Sequence, residues 1–276
     1  MRFLFFLQIG FICSTLFSCV HGRFTHEKLN ATLWVQTAGE YQAISQQAYA
    51  IAKTQLDQAI EDETWTAAVE QDINAEVASL PTAVIVDVDD TIIDNSPFQA
   101  KLITLESDYQ PSLWKEWVSL AKAKAIPGAL DFLKYAKSKG ITIFYITNRT
   151  HDEESDTREN LNKLGFPVDN QFDTVLTREE KANWGSDKIS RRQMIVNNFR
   201  ILLIIGDDLN DFTTGAQDNP EKRVALAKEF SFYWGTKWIL IPNPNYGTWE
   251  SSLYSFQYDL PDSEKLRIKN ERLNTY

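Results

Sequence analysis

The stretch that most constrains the fold of this chain is residues 83–95, where a short apolar run ends in a cluster of acids. The run Ala83–Val86 is unbroken and rich in β-branched residues, which predicts a buried parallel strand that is apolar on both faces. Asp87, Asp89 and Asp90 follow it directly. Burying several carboxylates at the end of a strand is costly unless a cation or proton chemistry uses them. Because open α/β sheets bind ligands at this end of their strands, we expect a functional site here.

Four more apolar segments follow and alternate with amphipathic ones. The further predicted strands are residues 141–146, 173–176, 201–205 and 238–241. The predicted helices are residues 37–79 with a break at Thr64–Trp65, a helix capped by Ser112, residues 127–140, a segment that ends at Leu164, a segment from Ser186, and the tail from Ser263. Ser96-Pro97 is predicted to open a loop. Strands that alternate with helices indicate an α/β fold, a parallel sheet flanked by helices and joined by right-handed crossovers.

The organisation of the chain follows from these patterns. A chain of 276 residues, 43% of them hydrophobic, supplies one sizeable core. We assign the segments as a signal peptide (1–19), a tether with N-terminal helices (20–80), a catalytic core (81–255) with a cap insertion (92–126), and a charged tail (256–276).

The N-terminal segment predicts export. Arg2 precedes an apolar run that reaches Phe17, and Ser18-Cys19 follows, as in a bacterial lipoprotein cleavage box. Lipid attachment at Cys19 would anchor the protein at the outer membrane, facing the periplasm or the surface. The alternative is ordinary cleavage to a secreted or periplasmic soluble protein.

Composition excludes several kinds of site. The two cysteines, Cys13 and Cys19, are both N-terminal, so no thiol nucleophile, zinc–thiolate site or disulfide framework is expected. Only three histidines are present, so a bound metal would be held by oxygen, which points to Mg²⁺. The net charge of −10 argues against a nucleic acid polymer as partner.

Three of the predicted strands end in polar groups. Beside the acids after the first strand, Thr147-Asn148-Arg149 follows the strand at 141–146, and Gly206-Asp207-Asp208 with Asp211 follows the strand at 201–205. Lys188 lies in the first turn of the helix predicted from Ser186. In a parallel sheet the strand ends lie at one edge, so these groups are expected to converge.

The order of these four groups resembles the four motifs of the haloacid dehalogenase (HAD) superfamily of phosphohydrolases. The resemblance is closest to the class C bacterial acid phosphatases, the outer-membrane lipoprotein 5'-nucleotidases. It rests on the segments Val86–Thr91, Asp94–Pro97, Ala125–Gly128, Tyr145–Arg149, Gly206–Phe212, Pro242–Trp249, Leu33–Thr37 and Glu40-Tyr41. Asp208 and Asn210 are exchanged relative to the usual order in the family, and Phe98 stands where a Tyr is common.

The resemblance, together with the chemistry of the residues, implies a role for each group. A carboxylate can attack a phosphomonoester dianion only if a divalent cation reduces their repulsion. Asp87 and Asp207 would bind Mg²⁺ with the main-chain carbonyl of Asp89, and Asp87 would be the nucleophile that forms an aspartyl-phosphate. The Asp89 side chain would act as general acid and base. Asp211 is expected to orient Lys188 or a metal-bound water without binding the ion directly. The expected phosphate-binding residues are Thr147, Asn148 and Lys188.

The expected substrate is a small phosphomonoester, first of all a nucleoside 5'-monophosphate. The expected substrate-binding residues are Trp114, Tyr246 and Phe98, and Trp114 and Tyr246 are predicted to stack on the base. Trp117 is expected to pack inside the cap. The resemblance also suggests a homodimer. Two alternatives stay open at this point: a phosphatase or phosphotransferase for another metabolite, and a surface-binding lipoprotein, for example for haem, with weak catalysis.

Overall fold

The computed structural model describes residues 26–71, 74–169 and 172–276, so the predicted signal peptide and Cys19 lie outside the described residues. The strands are β1 (Thr82–Val86), β2 (Ile93–Asp94), β3 (Lys124–Ala125), β4 (Thr142–Thr150), β5 (Val175–Arg178), β6 (Arg200–Gly206) and β7 (Trp238–Leu240). The helices are α1 (Leu29–Thr37), α2 (Gly39–Glu61), α3 (Ala75–Ala78), α4 (Ser96–Thr104), α5 (Pro111–Ser119), α6 (Ala129–Ser138), α7 (Glu154–Leu164), α8 (Ile189–Val196), α9 (Pro220–Glu229), α10 (Thr248–Leu253) and α11 (Asp262–Glu271).

The predicted α/β fold is confirmed. Five parallel strands form one sheet in the order β5-β4-β1-β6-β7, and β2 and β3 form a separate antiparallel pair. The apolar strand β1 lies at the centre, between β4 and β6, as its two-sided burial requires. The ends of β1, β4 and β6 therefore lie side by side.

Each face of the sheet is covered by a separate apolar core. On one face, β1 contributes Val84 and Val86, which pack with residues of α2 and α6 such as Leu56 and Leu133. On the other face, Ile85 packs with residues that include Ile195 of α8. Two helical layers thus fix the sheet between them.

The N-terminal prediction is correct in part. Helix α2 ends at Glu61, close to the predicted break, and α1 is a helix that the sequence patterns did not predict. The second predicted helix is wrong, because among the described residues of 62–80 only Ala75–Ala78 is helical. The Trp65 indole instead donates to the Leu202 carbonyl at 2.7 Å, and the Ala67 N–H donates to the Ile201 carbonyl at 2.8 Å. These bonds to β6 replace the local helical ones.

The cap insertion is more helical than predicted. The segment from Ser96-Pro97, predicted to be a loop, is helix α4, with Pro97 in its first turn, where the missing N–H has no cost. Helix α5 begins at Pro111 after Gln110, so Ser112 is not its cap. The β2–β3 pair joins the two ends of the insertion to the core.

Other boundaries differ from prediction by a few residues. Strand β4 continues to Thr150, so Thr147-Asn148-Arg149 belongs to the strand. Helix α6 begins at Ala129 and not at Pro127, because Gly128 adopts φ +89°, and an added Cβ there would lie 2.9 Å from Tyr49. Helix α8 begins at Ile189, with Lys188 as its N-cap residue. Helices α9 and α10 were not predicted.

The predicted tail helix is present as α11, and no residue of it is buried. Across the three described ranges, no helix combines the length and the apolar character needed to cross a membrane.

Candidate active site

The ends of β1 and β6 bring three acids together. The Asp87 N–H donates to the Ile205 carbonyl at 2.9 Å, which aligns the residue after β1 with the end of β6. Asp207 follows β6 directly, and Asp211 lies in the short helical turn after it. Carboxylate oxygens of Asp87, Asp207 and Asp211 lie within 4.8 Å of one another.

Glycine at position 206 makes this approach possible. An added Cβ at Gly206 would lie 2.3 Å from the Asp211 carboxylate. The second oxygen of Asp211 accepts the N–H groups of Asp207 and Asp208 at 3.1 and 3.0 Å. Asp211 thus closes the loop that presents Asp207, and the loop needs a glycine before it.

The buried ammonium of Lys188 lies between two of these acids. Its Nζ contacts the Asp87 carboxylate and lies 2.7 Å from Asp211 Oδ1. Lys188, the N-cap residue of α8, is only 4% exposed. The predicted pairing of Lys188 with Asp211 agrees with this geometry.

The buried acids of the site carry more charge than the one buried lysine beside them. Burial raises the pKa of Asp87 to about 7, with Lys188 opposing and the charges of Asp211 and Asp89 adding to the effect. Burial also raises the pKa of Asp207 well above its usual range, and the charges of Asp87 and Asp211 raise it further. For Lys188, burial lowers the pKa, but Asp211 and Asp87 outweigh burial and the net shift is upward. One lysine therefore does not neutralise the cluster.

The donor set fits a hard divalent cation. Three clustered carboxylates supply oxygen ligands only, which suits ions such as Mg²⁺. Asp207 is oriented by the Thr91 hydroxyl at 3.1 Å and by the Asn243 amide at 2.8 Å. Asp211 belongs to this metal-capable group as well, although its two oxygens already contact Lys188 and the loop N–H groups. A divalent cation, in addition to the Lys188 ammonium, would neutralise the remaining negative charge of the three acids.

Asp89, the predicted general acid and base, points toward β4. Its carboxylate accepts hydrogen bonds from the Arg149 guanidinium at 2.8 to 3.2 Å, from the Asn95 amide at 2.9 Å and from the Thr147 hydroxyl at 3.1 Å. Arg149 is 2% exposed, so this is a nearly buried ion pair. Sequence reasoning missed Arg149 as a site residue, although its place directly after Thr147-Asn148 was a usable signal.

The predicted phosphate-binding residues of β4 are held by hydrogen bonds to neighbouring residues of the site. The side chain of Asn148 donates to the Ser186 carbonyl at 3.0 Å and accepts from Arg191 at 2.7 Å. Thr147 is fully buried, and its hydroxyl is bonded to Asp89. Asn148 lines the cavity, but binding of a phosphoryl oxygen by the Thr147 hydroxyl would require it to leave Asp89.

A cavity of about 580 Å³ opens above the acids. It is lined by Trp114, Phe98 and Tyr246, together with the acids and Lys188. The Trp114 ring packs edge-on against Phe98, with ring centroids 5.1 Å apart, and Arg149 lies 5.4 Å from its centroid. Phe98 is 2% exposed and supports Trp114 from behind.

Tyr246 is fixed in the lining of the same cavity. Its hydroxyl donates to the buried carboxylate of Asp90, and burial raises the pKa of Tyr246 well above its usual range. Trp117 does not line the cavity. It packs against the core, and its indole N–H donates to Asn95 at 2.8 Å.

The C-terminal segment forms the outer wall of the cavity, which the sequence did not indicate. Tyr254, Tyr258, Lys265 and Lys269 line it. Lys269 is held there by Glu250 at 2.6 Å and by Glu27 at 2.9 Å. The predicted tail thus borders the site without being buried.

Comparison with known families and structures shows which proteins this chain is similar to. Residues 22–249 match the family described as HAD superfamily, subfamily IIIB (acid phosphatase). Among curated proteins, the soybean (Glycine max) stem 28 kDa glycoprotein is 26% identical over 133 residues, and a soybean stem 31 kDa glycoprotein is 28% identical over 127 residues. These matches span 46% and 45% of this chain. The chain covers about half of the length of these relatives, 51% and 49%.

Two solved structures are similar over most of their length. The class C acid phosphatase of Bacillus anthracis is 34% identical with a TM-score of 0.79, and the same enzyme with tungstate bound is 32% identical with a TM-score of 0.78. Each match covers 90% of this chain and 97% of the other. They confirm the fold and the family that the sequence motifs indicated.

Proposed function

Because the chain belongs to the acid phosphatase family of the HAD superfamily, subfamily IIIB, we propose that it is a Mg²⁺-dependent phosphatase of nucleoside 5'-monophosphates. Phosphomonoester hydrolysis follows from the family; the ion and the substrate are our proposals. The observation that carries the proposal is the buried Lys188, held between Asp87 and Asp211 beside Asp207. Such a site can hold both a divalent cation and a phosphate dianion.

Asp87 is the proposed nucleophile. Its carboxylate oxygen forms a bond to phosphorus while the bond between phosphorus and the leaving alkoxide breaks, which leaves an aspartyl-phosphate. Water then attacks the phosphorus and releases inorganic phosphate and the free Asp87 carboxylate. The Lys188 ammonium lies where it can stabilise the charge on the phosphoryl oxygens in both steps.

Asp89 is the proposed proton donor to the leaving group and the acceptor of a proton from water. The structure shows its carboxylate bonded to Arg149, Asn95 and Thr147. Proton transfer therefore requires Asp89 to exchange one of these contacts for the leaving oxygen. The Thr147 hydroxyl, once free of Asp89, is the contact that becomes available to the phosphoryl group.

The divalent cation would be held by Asp87 and Asp207, with the Asp89 carbonyl as the further protein ligand that the family resemblance implies. It supplies positive charge that lets an anionic nucleophile approach an anionic ester. Release of p-nitrophenol from p-nitrophenyl phosphate by the purified protein tests the proposal. Hydrolysis in Mg²⁺ that stops with EDTA supports it, and an inactive protein in saturating Mg²⁺ would overturn it.

The organic half of the substrate is proposed to stack between Trp114 and Tyr246. Both line the cavity, and Tyr246 is fixed by Asp90 while Trp114 is supported by Phe98. Stacking of a base on an aromatic ring contributes on the order of 1–3 kcal/mol and tolerates different bases. Truncation of Trp114 should therefore affect nucleotides more than esters that lack a base.

The experiment compares Trp114→Ala with Trp117→Ala, a tryptophan of the same helix outside the cavity. Trp114→Ala should lower kcat/KM for AMP by roughly tenfold or more, and should change glycerol phosphate much less. Trp117→Ala should affect both substrates alike, because it removes packing and a bond to Asn95. Equal losses on both substrates in Trp114→Ala would mean that Trp114 supports the cap and does not contact the base.

The location and assembly of the enzyme are proposed from the sequence. Residues 1–19 support export with a lipid anchor on Cys19 at the bacterial outer membrane, and a secreted or periplasmic soluble form is the alternative. The homodimer rests on the family resemblance.

A further inference from the structure

The start of α8, from its N-cap residue onward, carries three buried cations. Lys188, Arg191 and Arg192 are spaced i, i+3 and i+4, which places them together on a helix. Their exposures are 4%, 0% and 0%. Three buried positive charges are costly unless each has a task. The proposed mechanism uses Lys188 and leaves the two arginines without a role.

Arg191 is directed at the strand that carries the predicted phosphate-binding residues. Its guanidinium donates to the Thr147 carbonyl at 2.5 Å, to the Asn148 side-chain oxygen at 2.7 Å and to the Gly185 carbonyl at 2.9 Å. No carboxylate pairs with it among the described residues. Burial lowers the pKa of Arg191 to about 10, partly offset by Asp87 and Asp211, so it stays charged at neutral pH.

Arg192 is directed at the loop after β6. It donates to the main-chain carbonyls of Asp211 at 3.1 Å and Asn210 at 3.3 Å. Its other nitrogens donate to Glu70 at 2.7 and 2.9 Å, so its charge is balanced by a carboxylate outside the active site. The side chain therefore ties the acidic loop to the segment before α3 without drawing negative charge from the site.

We propose that Arg191 and Arg192 are positioning residues with separate tasks, Arg191 for the phosphate-binding residues of β4 and Arg192 for the loop that presents Asp207 and Asp211. The inference rests on the proposed function, because it takes phosphate and a divalent cation as the two ligands.

The different charge balance of the two arginines agrees with this division. Arg191, which has no paired carboxylate, adds positive potential beneath Thr147 and Asn148, where a phosphate dianion would bind. Arg192 is neutralised by Glu70, so it fixes the acidic loop without competing electrostatically with a cation there. A neutral donor could satisfy the same carbonyls, so the charge of Arg191 favours an anion as the ligand.

The test uses the conservative variants Arg191→Lys and Arg192→Lys in the full chain, with Arg200→Lys as matched control. Arg200 is also buried, at 4% exposure, and donates to main-chain carbonyls, of Asp62 at 2.7 Å and Trp65 at 3.2 Å, at the opposite end of β6. Lysine keeps the charge but loses the planar fork that donates to two groups at once. Calorimetry measures binding of Mg²⁺ alone and of inorganic phosphate in saturating Mg²⁺, and thermal unfolding measures stability.

Arg191→Lys should raise the Kd for phosphate about tenfold and leave the Kd for Mg²⁺ unchanged. The variant loses charged hydrogen bonds to Thr147 and Asn148, which belong to the proposed phosphate site and not to the proposed metal site. Arg192→Lys should raise the Kd for Mg²⁺ about tenfold and leave phosphate binding in saturating Mg²⁺ unchanged. Arg200→Lys should lower Tm and change neither Kd. Parallel changes of both Kd values in Arg191→Lys and Arg192→Lys, or none, would overturn the division of tasks.

The wild-type protein separates this inference from the proposed function. Wild-type chain that binds neither Mg²⁺ nor phosphate and does not hydrolyse p-nitrophenyl phosphate would refute the function itself. Normal wild-type binding without the split between variants would refute only the positioning tasks. If Arg191→Lys or Arg192→Lys fails to fold, Arg191→Gln and Glu70→Gln replace them, with the same expected split.

Discussion

The metal-free protein should lose stability as the pH rises through neutrality, and Asp87 should account for a large share of the loss. Burial raises the pKa of Asp87 to about 7 from the usual 3.8, and only Lys188 opposes the rise. The folded protein therefore holds a proton on Asp87 over a pH range in which the unfolded chain has released it.

The sign and the magnitude follow from proton linkage. Because the folded pKa lies above the unfolded one, the contribution of Asp87 to stability is fully present below about pH 4 and is lost as the pH rises to about 7. Each pH unit corresponds to about 1.4 kcal/mol, so the upper limit is about 4 kcal/mol over the whole range and about 3 kcal/mol between pH 5 and 7.5. Asp87 is only 7% exposed, so solvent screens this effect little.

Urea unfolding, followed by tryptophan fluorescence between pH 5 and pH 7.5 in EDTA, measures the effect. The variant Asp87→Asn should reduce the pH-dependent loss by about 3 kcal/mol. Asp90, whose pKa burial raises to about 7, and Asp207, whose pKa burial raises well above its usual range, keep contributions of their own. Mg²⁺ at pH 7.5 should restore stability to the wild type by binding the folded state. An equal pH-dependence in wild type and Asp87→Asn would refute the assignment of the buried charge to Asp87.

Three more predictions concern the nucleophile, the metal ligand and the lipid anchor. Asp87→Asn should lower turnover by orders of magnitude while the fold persists, which circular dichroism can verify. Retention of more than a tenth of wild-type activity would remove Asp87 from the nucleophile role. Asp207→Ala should raise the Mg²⁺ concentration needed for half-maximal activity, and an unchanged Mg²⁺ titration would exclude Asp207 as a ligand. Cys19→Ala should abolish lipid attachment in cells, and mature wild-type protein that begins after Cys19 would contradict the lipoprotein hypothesis.

The sequence was sufficient to predict the sheet and the residues at its edge. Strand β1 is apolar on both faces and ends in acids, a pattern that is typical of a central strand in a parallel sheet. Strands β4 and β6 are also largely buried and end in polar residues. Asp87, Asp207, Asp211 and Lys188 converge because parallel strands align their ends. This part depends on periodicity and topology, both of which a single sequence contains.

Tertiary hydrogen bonds were the part that periodicity could not predict. The segment after Glu61 has a helical pattern, but Trp65 and Ala67 bond to β6, and these bonds replace the local helical ones. The orientation of Asp89 toward Arg149 depends on which partner lies within reach across two strands, and no local pattern contains that information. The sequence contains the i, i+3, i+4 spacing of Lys188, Arg191 and Arg192. It does not show that Arg191 donates to β4 and Arg192 to the loop after β6, because those contacts depend on the tertiary fold.

The site has an acidic half, at the ends of β1 and β6, and a basic half, at the end of β4. On the metal side, Asp87, Asp207 and Asp211 share one lysine, so their charge is in excess and favours a divalent cation. On the phosphate side, Arg149 is paired with Asp89, and Arg191 has no paired acid. A phosphomonoester dianion placed between a bound cation and Arg191 would meet positive charge on both sides. The separation of charge across the site, more than any one residue, makes the strand ends suited to phosphate.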